Sequence, residues 1–386
     1  MSRSAVPRVS AAQAAAFRLA RQHLAGSGRS VAGRHAAASL ADVVRDTAGI
    51  QAQVMSAGEL SIWTRRRATT RAEIQRALWE ARELVRTSAM RLTLHLVPSN
   101  DLAIYVAATK AMAFRRIEYW LGRMGATPPQ LRKMVDCVVD TLDDGRPRTQ
   151  QELIAAAKKK VGRGMGKWLD HSWSGVRPAV IEGRIVYGPP SGAEATFVRT
   201  DRWLGLQPQV DAGSAQGELL RRFLAAFGPA TPHDFAKWSG LKASDSKKLV
   251  AAAGDGLIEV SVDGAPGWIL LQDLEALTRS ELDDDAVRLL GAFDSFLLAH
   301  ATKEHLVDAR FYKRVYRPQG WISPVVLRGA TIVGVWFPES LGATTLLRVE
   351  LFGRPTAAVR RGVESEAHAL SAFLGKRCQV RLAARS

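Results

Sequence analysis

"FGPATPHDFAKWSGLKASDSKKLVAAAGDGLIEVSVDGAPGWILL", residues 227–271, reads helix, tight turn, helix and hairpin within one short stretch. Thr231 is placed to cap the first helix, and Pro232 suits its first position, where the backbone N–H has no intrahelical partner. Ser239, Gly240 and Leu241 supply the turn, and Ser244 is the expected cap of the second helix. Asp263 to Pro266 joins strands expected at 257–262 and 267–271. This is the element order of a winged helix.

The same order occurs twice upstream. Helices are expected near residues 12–24 and from Ser39. Two capping-box patterns, Ser56 with Glu59 and Thr70 with Glu73, start helices near residues 57 and 71. After them "VRTSAMRLTLHLV" alternates, with Leu92, Leu94 and Leu96 on one side and Arg91, Thr93 and His95 on the other, as a half-buried strand does. The second occurrence runs from a helix opening at Thr149, through a helix expected around Trp168 to Glu182, to a hairpin in "GRIVYGPPSGAEATFV". Beyond residue 286 the chain becomes β-rich, with a turn at Gly329 and a helix ending at Gly375. The fold class is therefore α+β, with three tandem winged-helix units and a C-terminal β-rich lobe. The boundaries fall at 1–127, 128–205, 206–286 and 287–386.

With 386 residues and a formal net charge of +17, the chain is large enough for several cores and favours a polyanionic partner, nucleic acid first. No apolar run approaches the ~20 residues of a membrane span, so export and membrane insertion are not expected, and a cytoplasmic protein is. Cys137 and Cys378 stand in no metal or disulfide spacing and read as buried small hydrophobes. No phosphate loop, zinc motif, dinucleotide fingerprint or nucleophile elbow appears, so no cofactor or metal is implied. His95 and His171 are isolated; His300 and His305 lie close in sequence but lack a third ligand.

Gln51 and Gln53 stand one residue apart in "AGIQAQVMSAGELSIWTRRR", residues 48–67. In extended backbone residues i and i+2 project to one side, so two amides can converge on one point. Such a pair holds and orients a water but cannot deprotonate it strongly. The chemistry it suits has a good leaving group and a cationic transition state. The alternative is that both amides tie loop backbone together.

Several stretches in order resemble the winged-helix DNA glycosylases of the AlkZ type: "GIQAQ" at 49–53, "RLTLHLVPSNDL" at 91–102, "GPATPHDFAKWSGL" at 228–241, "LLGAFDSFLLAH" at 289–300 and "GWISPVVLRGATIVGVW" at 320–336. The resemblance covers most of the chain. It implies a concave basic channel for duplex DNA and monofunctional hydrolysis of the N-glycosidic bond of alkylated bases, including bulky N7-alkylguanines and crosslinks. It gives Gln51 and Gln53 the catalytic role. An N7-alkylated guanine already carries positive charge, so water placement and polar stabilisation suffice without a carboxylate. The Q-x-Q pattern is similar to that of members tied to self-resistance against DNA-alkylating antibiotics. Leu92 departs from the family's usual glycine, and Ala299, Thr302 and Lys303 from its usual glycine and Asp-Arg pair.

The expected phosphate contacts are Arg65, Arg66 and Arg67, because a continuous basic run is not expected to face a core throughout. Lys158, Lys159 and Lys160 with Arg163 and Lys167 form a second cluster, and Arg91, His95 and Lys303 complete the set. The expected partner is double-stranded DNA containing alkylated bases, bound by a monomer. The alternative is a non-catalytic winged-helix protein, either a regulator or one that sequesters lesions.

Overall fold

Two tight turns organise the region first read from sequence. Asp263 and Gly264 both take positive φ (45° and 90°), the requirement of a two-residue hairpin turn, and join Leu257–Val262 to Ala265–Leu270. Thr231 and Asp234 cap each other's backbone N–H groups at 2.8 and 3.1 Å, starting the helix Pro232–Ser239. Its partner helix, Ala243–Ala252, starts at Lys242 without a side-chain cap, so Ser244 lies inside it rather than before it.

The computed structural model describes residues 5–25, 38–161 and 176–383. The chain divides into two compact units: Met1–Ile74, Leu220–Trp238 and Lys242–Ser386 form one, and Gln75–Leu219 with Ser239–Leu241 the other.

In the first unit Arg8–Val9 lies parallel to Leu257–Val262, adding a third strand to that hairpin. The helix Ala11–Arg21, capped by Ser10, buries Ala14 and Phe17 against Val260, Ile269 and Leu277. The N-terminal segment thus completes a core whose other half lies some 250 residues away, and the Ala11 N–H donates to Asp263 Oδ2 across the same gap (3.0 Å). Phe223, Phe227, Phe235 and Trp238 form an adjoining aromatic cluster. The C-terminal part is a five-stranded sheet in the order Val287–Leu290, Val325–Arg328, Thr331–Leu341, Thr344–Leu351, Arg377–Leu382. Its last strand runs parallel to its neighbour, so the chain must cross over, and the helix Ala357–Leu374 makes that crossing and ends at left-handed Gly375.

The second unit holds two hairpins, Leu84–Ser88 with Leu94–Pro98 and Ile185–Ser191 with Glu194–Arg199, the latter extended by Arg148–Thr149. Residues 89–93 are not strand as expected: Arg91 and Leu92 take φ of 54° and 63° and close the first hairpin. Ile117, Leu121, Leu131, Met134, Leu153 and Val180 pack the helices Leu102–Arg123, Pro128–Thr141, Gln150–Val161 and Arg177–Ile181 together. The helix expected from Trp168 falls largely outside the described residues. Cys137 is buried, whereas Cys378 is only half-buried. The described residues form a mixed α and β fold in which no helix is long and apolar enough to cross a membrane.

Candidate functional site

The glutamine loop is set by the turn before it. The helix Leu40–Asp46, capped reciprocally by Ser39 and Asp42, ends with Ala48 N–H on the Arg45 carbonyl and Gly49 N–H on that of Val44, both at 2.9 Å. Ala48 and Gly49 both have positive φ, 52° and 90°, which reverses the chain and releases it extended as Ile50–Gln51. Ile50 and Ala52 are buried and act as pegs. Gln51 is only 6% exposed, while Gln53 is exposed. The strand ends at Gln51, Gln53 and Val54 lie on a bend, and the helix Met55–Arg65 begins at Met55 with no side-chain cap. Ser56 is therefore not the cap its spacing with Glu59 predicts.

Gly58 fixes how closely that helix approaches the loop. A Cβ there would lie 3.0 Å from the Ala52 Cβ and 3.6 Å from the Gln51 carbonyl oxygen, so a larger residue would push against the segment between the two glutamines. On the other side Ser295 Oγ donates to the Gly49 carbonyl at 3.3 Å.

The carboxylates around the loop are occupied. Asp294 accepts from Arg65 through both oxygens (2.8 and 2.7 Å), from Ser61 Oγ (2.8 Å) and from the Phe296 N–H (3.0 Å). Burial pushes the Asp294 carboxyl up, but the Arg65 charge and these donors outweigh it and hold it below the usual carboxylate range. Glu59, buried one residue beyond Gly58, accepts from Arg71 at 3.0 and 2.8 Å. Polar amides, not a carboxylate, are what the loop itself presents.

Of the triple arginine expected to bind phosphate, Arg65 is removed by burial, while Arg66 and Arg67 are half-buried. Arg65 is fully buried on Asp294 and also donates to Gln22 Oε1 at 3.2 Å. Arg66, half-buried, donates to the Ala38 carbonyl and to Thr69 Oγ1. Arg67 grips Glu366 through one nitrogen at 2.8 and 2.7 Å and lies 4.1 Å over the Trp63 ring. Each finds an internal acceptor, which is how a continuous basic run comes to lie inside.

His95 is buried, with Nδ1–H donating to the Thr93 carbonyl at 2.9 Å. Burial, reinforced by the Arg91 charge, pushes it down to about 3. It is a neutral imidazole at physiological pH, not a cation for phosphate. Arg91, half-buried on the left-handed turn, is lowered by burial to about 10 and stays charged. Lys303 is buried against the His300 carbonyl and 5.5 Å from the Tyr316 ring, which removes it from the candidate DNA contacts. Lys158, Lys159 and Lys160 are exposed at the end of their helix; Arg163, Lys167 and His171 lie outside the described residues.

His300 and His305 do approach, with ring centroids 4.9 Å apart, and burial lowers both, His305 to about 4. Among the described residues no three His, Cys, Asp or Glu side chains are placed to hold a metal ion. The supporting residues that sequence reasoning passed over are Gly58, Ser61 and Asp294. Ser61 and Asp294 meet across more than 200 residues of sequence, and only the small residues at 57, 58 and 61 hinted that the helix start is closely packed.

The family model for DNA glycosylases described as AlkZ-like matches residues 44–373. An interstrand DNA cross-link repair glycosylase from Streptomyces sahachiroi is 33% identical over 310 residues, covering 77% of this chain and 82% of that protein. The solved structure of the Streptomyces sahachiroi DNA glycosylase AlkZ superimposes with a TM-score of 0.85 at 29% identity, covering 97% of this chain and 100% of that one. A chain matched over this length by family, sequence and fold belongs to the AlkZ-like DNA glycosylases.

Proposed function

We propose that this DNA glycosylase acts as a monomer on duplex DNA and hydrolyses the N-glycosidic bond of alkylated purines, bulky N7-alkylguanines and crosslinks above all, with Gln51 and Gln53 as its catalytic residues. The observation that carries this reading is the glutamine loop: Gln51 at the end of a short strand and Gln53 on the bend that follows, buried pegs between and beside them, and neighbouring carboxylates already held by arginine. The crosslink relative supports the substrate class. The winged-helix reading of 1–127, 128–205 and 206–286, followed by a lobe at 287–386, belongs to the same proposal; the helices preceding hairpins at 84–98, 185–199 and 257–270 support it.

In the reaction, the bond from C1′ to the guanine nitrogen breaks and its electrons neutralise the cationic ring. The sugar becomes oxocarbenium-like, water oxygen bonds C1′, and the water proton leaves to solvent. The amide oxygens accept from the water and aim its lone pair, while their dipoles favour the sugar cation. No strong base is required because the leaving group departs already activated.

The test is to incubate duplex carrying an N7-alkylguanine with the protein, then heat it in alkali to reveal abasic sites. Gln51→Ala and Gln53→Ala should each slow single-turnover release by about 10²-fold, the scale of losing one preorganised polar group. No strand breaks above the enzyme-free control with any small or bulky adduct would refute excision of these lesions, and tight binding without release would favour a sequestering protein. Wild-type rates in both variants would remove the glutamines from the site.

A further inference from the structure

The helix Leu102–Arg123 has two unlike faces. Over its second half one face buries Ala113, Ile117 and Leu121 in the core of its unit. On the other, Tyr119 is 61% and Trp120 59% exposed, and Arg115, Arg116 and Arg123 stand in solvent around them. At about 100° per residue, these five side chains fall within an arc of roughly 140°, and Glu118 lies outside it. From Arg115 to Arg123 the stripe is about 12 Å long, the axial length of three to four nucleotide steps at about 3.4 Å per strand. Between residues 102 and 133 Lys110, Arg115, Arg116, Arg123, Arg132 and Lys133 are opposed by Glu118 alone, so this surface repels a basic or neutral partner's cations and attracts a polyanion.

An indole and a phenol with more than half their surface in water are unusual on a folded domain. Here they are also arranged: Tyr119 and Trp120 meet edge to face with centroids 6.0 Å apart, and Arg123 donates to the Tyr119 hydroxyl at 3.3 Å. Guanidiniums that bind phosphate, interleaved with rings that stack on any base, are the chemistry of strand binding without sequence preference.

We infer that this helix face binds a DNA strand, with Arg115, Arg116 and Arg123 on successive phosphates and Tyr119 and Trp120 packed on sugar and an unstacked base. The inference rests on the reading of the protein as an enzyme of damaged DNA, but it concerns binding, far along the chain from the Gln51 and Gln53 loop.

The experiment measures binding of the full-length protein to a lesion-free fluorescent duplex with a single-stranded overhang, across a range of salt concentrations. Arg115→Ala combined with Arg116→Ala should flatten the log–log salt dependence by about two units. Trp120→Ala should weaken binding about tenfold with the slope unchanged, and Trp120→Phe should restore most of it. In all three, far-UV circular dichroism and the urea midpoint should match wild type, so that a weaker grip on DNA is not a folding defect. Unchanged affinity and slope in the arginine and tryptophan variants would overturn the inference. So would a change confined to particle mass by light scattering, which would make the face a contact between copies of the chain. A wild type that excises nothing, with the slope effect intact, would sink the enzymatic reading and leave this surface standing.

Discussion

Arg65 to Arg67 and Lys158 to Lys160 are both runs of three cations at the end of a helix, and they lie in opposite environments. The arginines are drawn inward onto Asp294, a backbone carbonyl and Glu366. The lysines are exposed. The difference lies in the helices that carry them. Met55–Arg65 is buried around most of its circumference, including Gly58, Ser61, Ile62 and Trp63, so Arg65 at its end is fully buried and Arg66 and Arg67 are half-buried. Gln150–Val161 buries Leu153 and Ala157 on one side and exposes Gln151, Glu152, Ala155 and the three lysines. Arginine also suits the interior better, because its planar fork matches a carboxylate in two places while ammonium stays strongly hydrated. A basic run therefore reports charge, and the packing of the turn before it decides whether DNA can reach that charge.

The largest effect should come from breaking the inward run. Arg65→Ala leaves Asp294 buried without its counter-charge, which costs about 3–5 kcal/mol when both partners are desolvated. Urea unfolding should show this loss, and Arg65→Met combined with Asp294→Leu should recover most of it, since an apolar pair has no charge to strand. The pH dependence has a definite sign. The folded Asp294 carboxyl lies below its unfolded value, so its contribution is complete above the unfolded pKa near 4 and falls away as pH drops through the folded one. Asp294→Asn should lack that share of the acid sensitivity. A wild-type urea midpoint in Arg65→Ala would mean the buried pair contributes nothing.

A smaller effect is expected where the same helix meets the glutamines. Gly58→Ala places a methyl 3.0 Å from the Ala52 Cβ, so one side must give by a few tenths of an ångström. Overpacking of this kind costs about 1–3 kcal/mol, or moves the loop instead. We expect the loop to yield, since Gln53 is exposed and the segment is short, with single-turnover excision falling about tenfold and most of the stability retained; misplacement of about 1 Å costs up to ~10²-fold. Gly58→Ala with Ala52→Gly should return activity by removing the opposing methyl. If the double variant stays slow while folding normally, Gly58 does not act through the loop.

What sequence carried and what it did not divides along the same line. Local signals placed the hairpins at 185–199 and 257–270, the Thr70, Thr149 and Thr231 starts, and the Gly375 end. Those depend on residues within a few positions. The buried state of Arg65 and the added strand Arg8–Val9 depend on partners far along the chain, and no window of sequence holds them. Leu92 is the instructive middle case. Its alternation with Leu94 and Leu96 reads as strand, yet its φ of 63° puts it on a turn where glycine is the easier residue. Left-handed backbone costs about 1–2 kcal/mol for an L-residue, but burying a leucine contributes about 1.5–3 kcal/mol. Packing in the core of its unit can hold the strained turn, which is why an apolar residue is tolerated there.

The smallest effect on folding belongs to the outward run, and it gives the comparison its sharpest form. Replacing Lys158, Lys159 and Lys160 together by alanine removes three solvated ammonium groups from a helix end and creates no buried vacancy. Stability should change by about 0.5 kcal/mol or less, the usual range for exposed substitutions. Binding should respond instead. Each lysine that neutralises a phosphate contributes about 0.9 to the log–log salt slope, so the triple variant should flatten it by up to about three units, equally for every duplex sequence. The arginine run should do the reverse, changing the urea midpoint and leaving the slope of the folded variant as it was. If Arg67→Ala flattens the slope and the lysine variant does not, the inward charges are the ones the DNA reaches, and burial would be the wrong guide to which cations bind it.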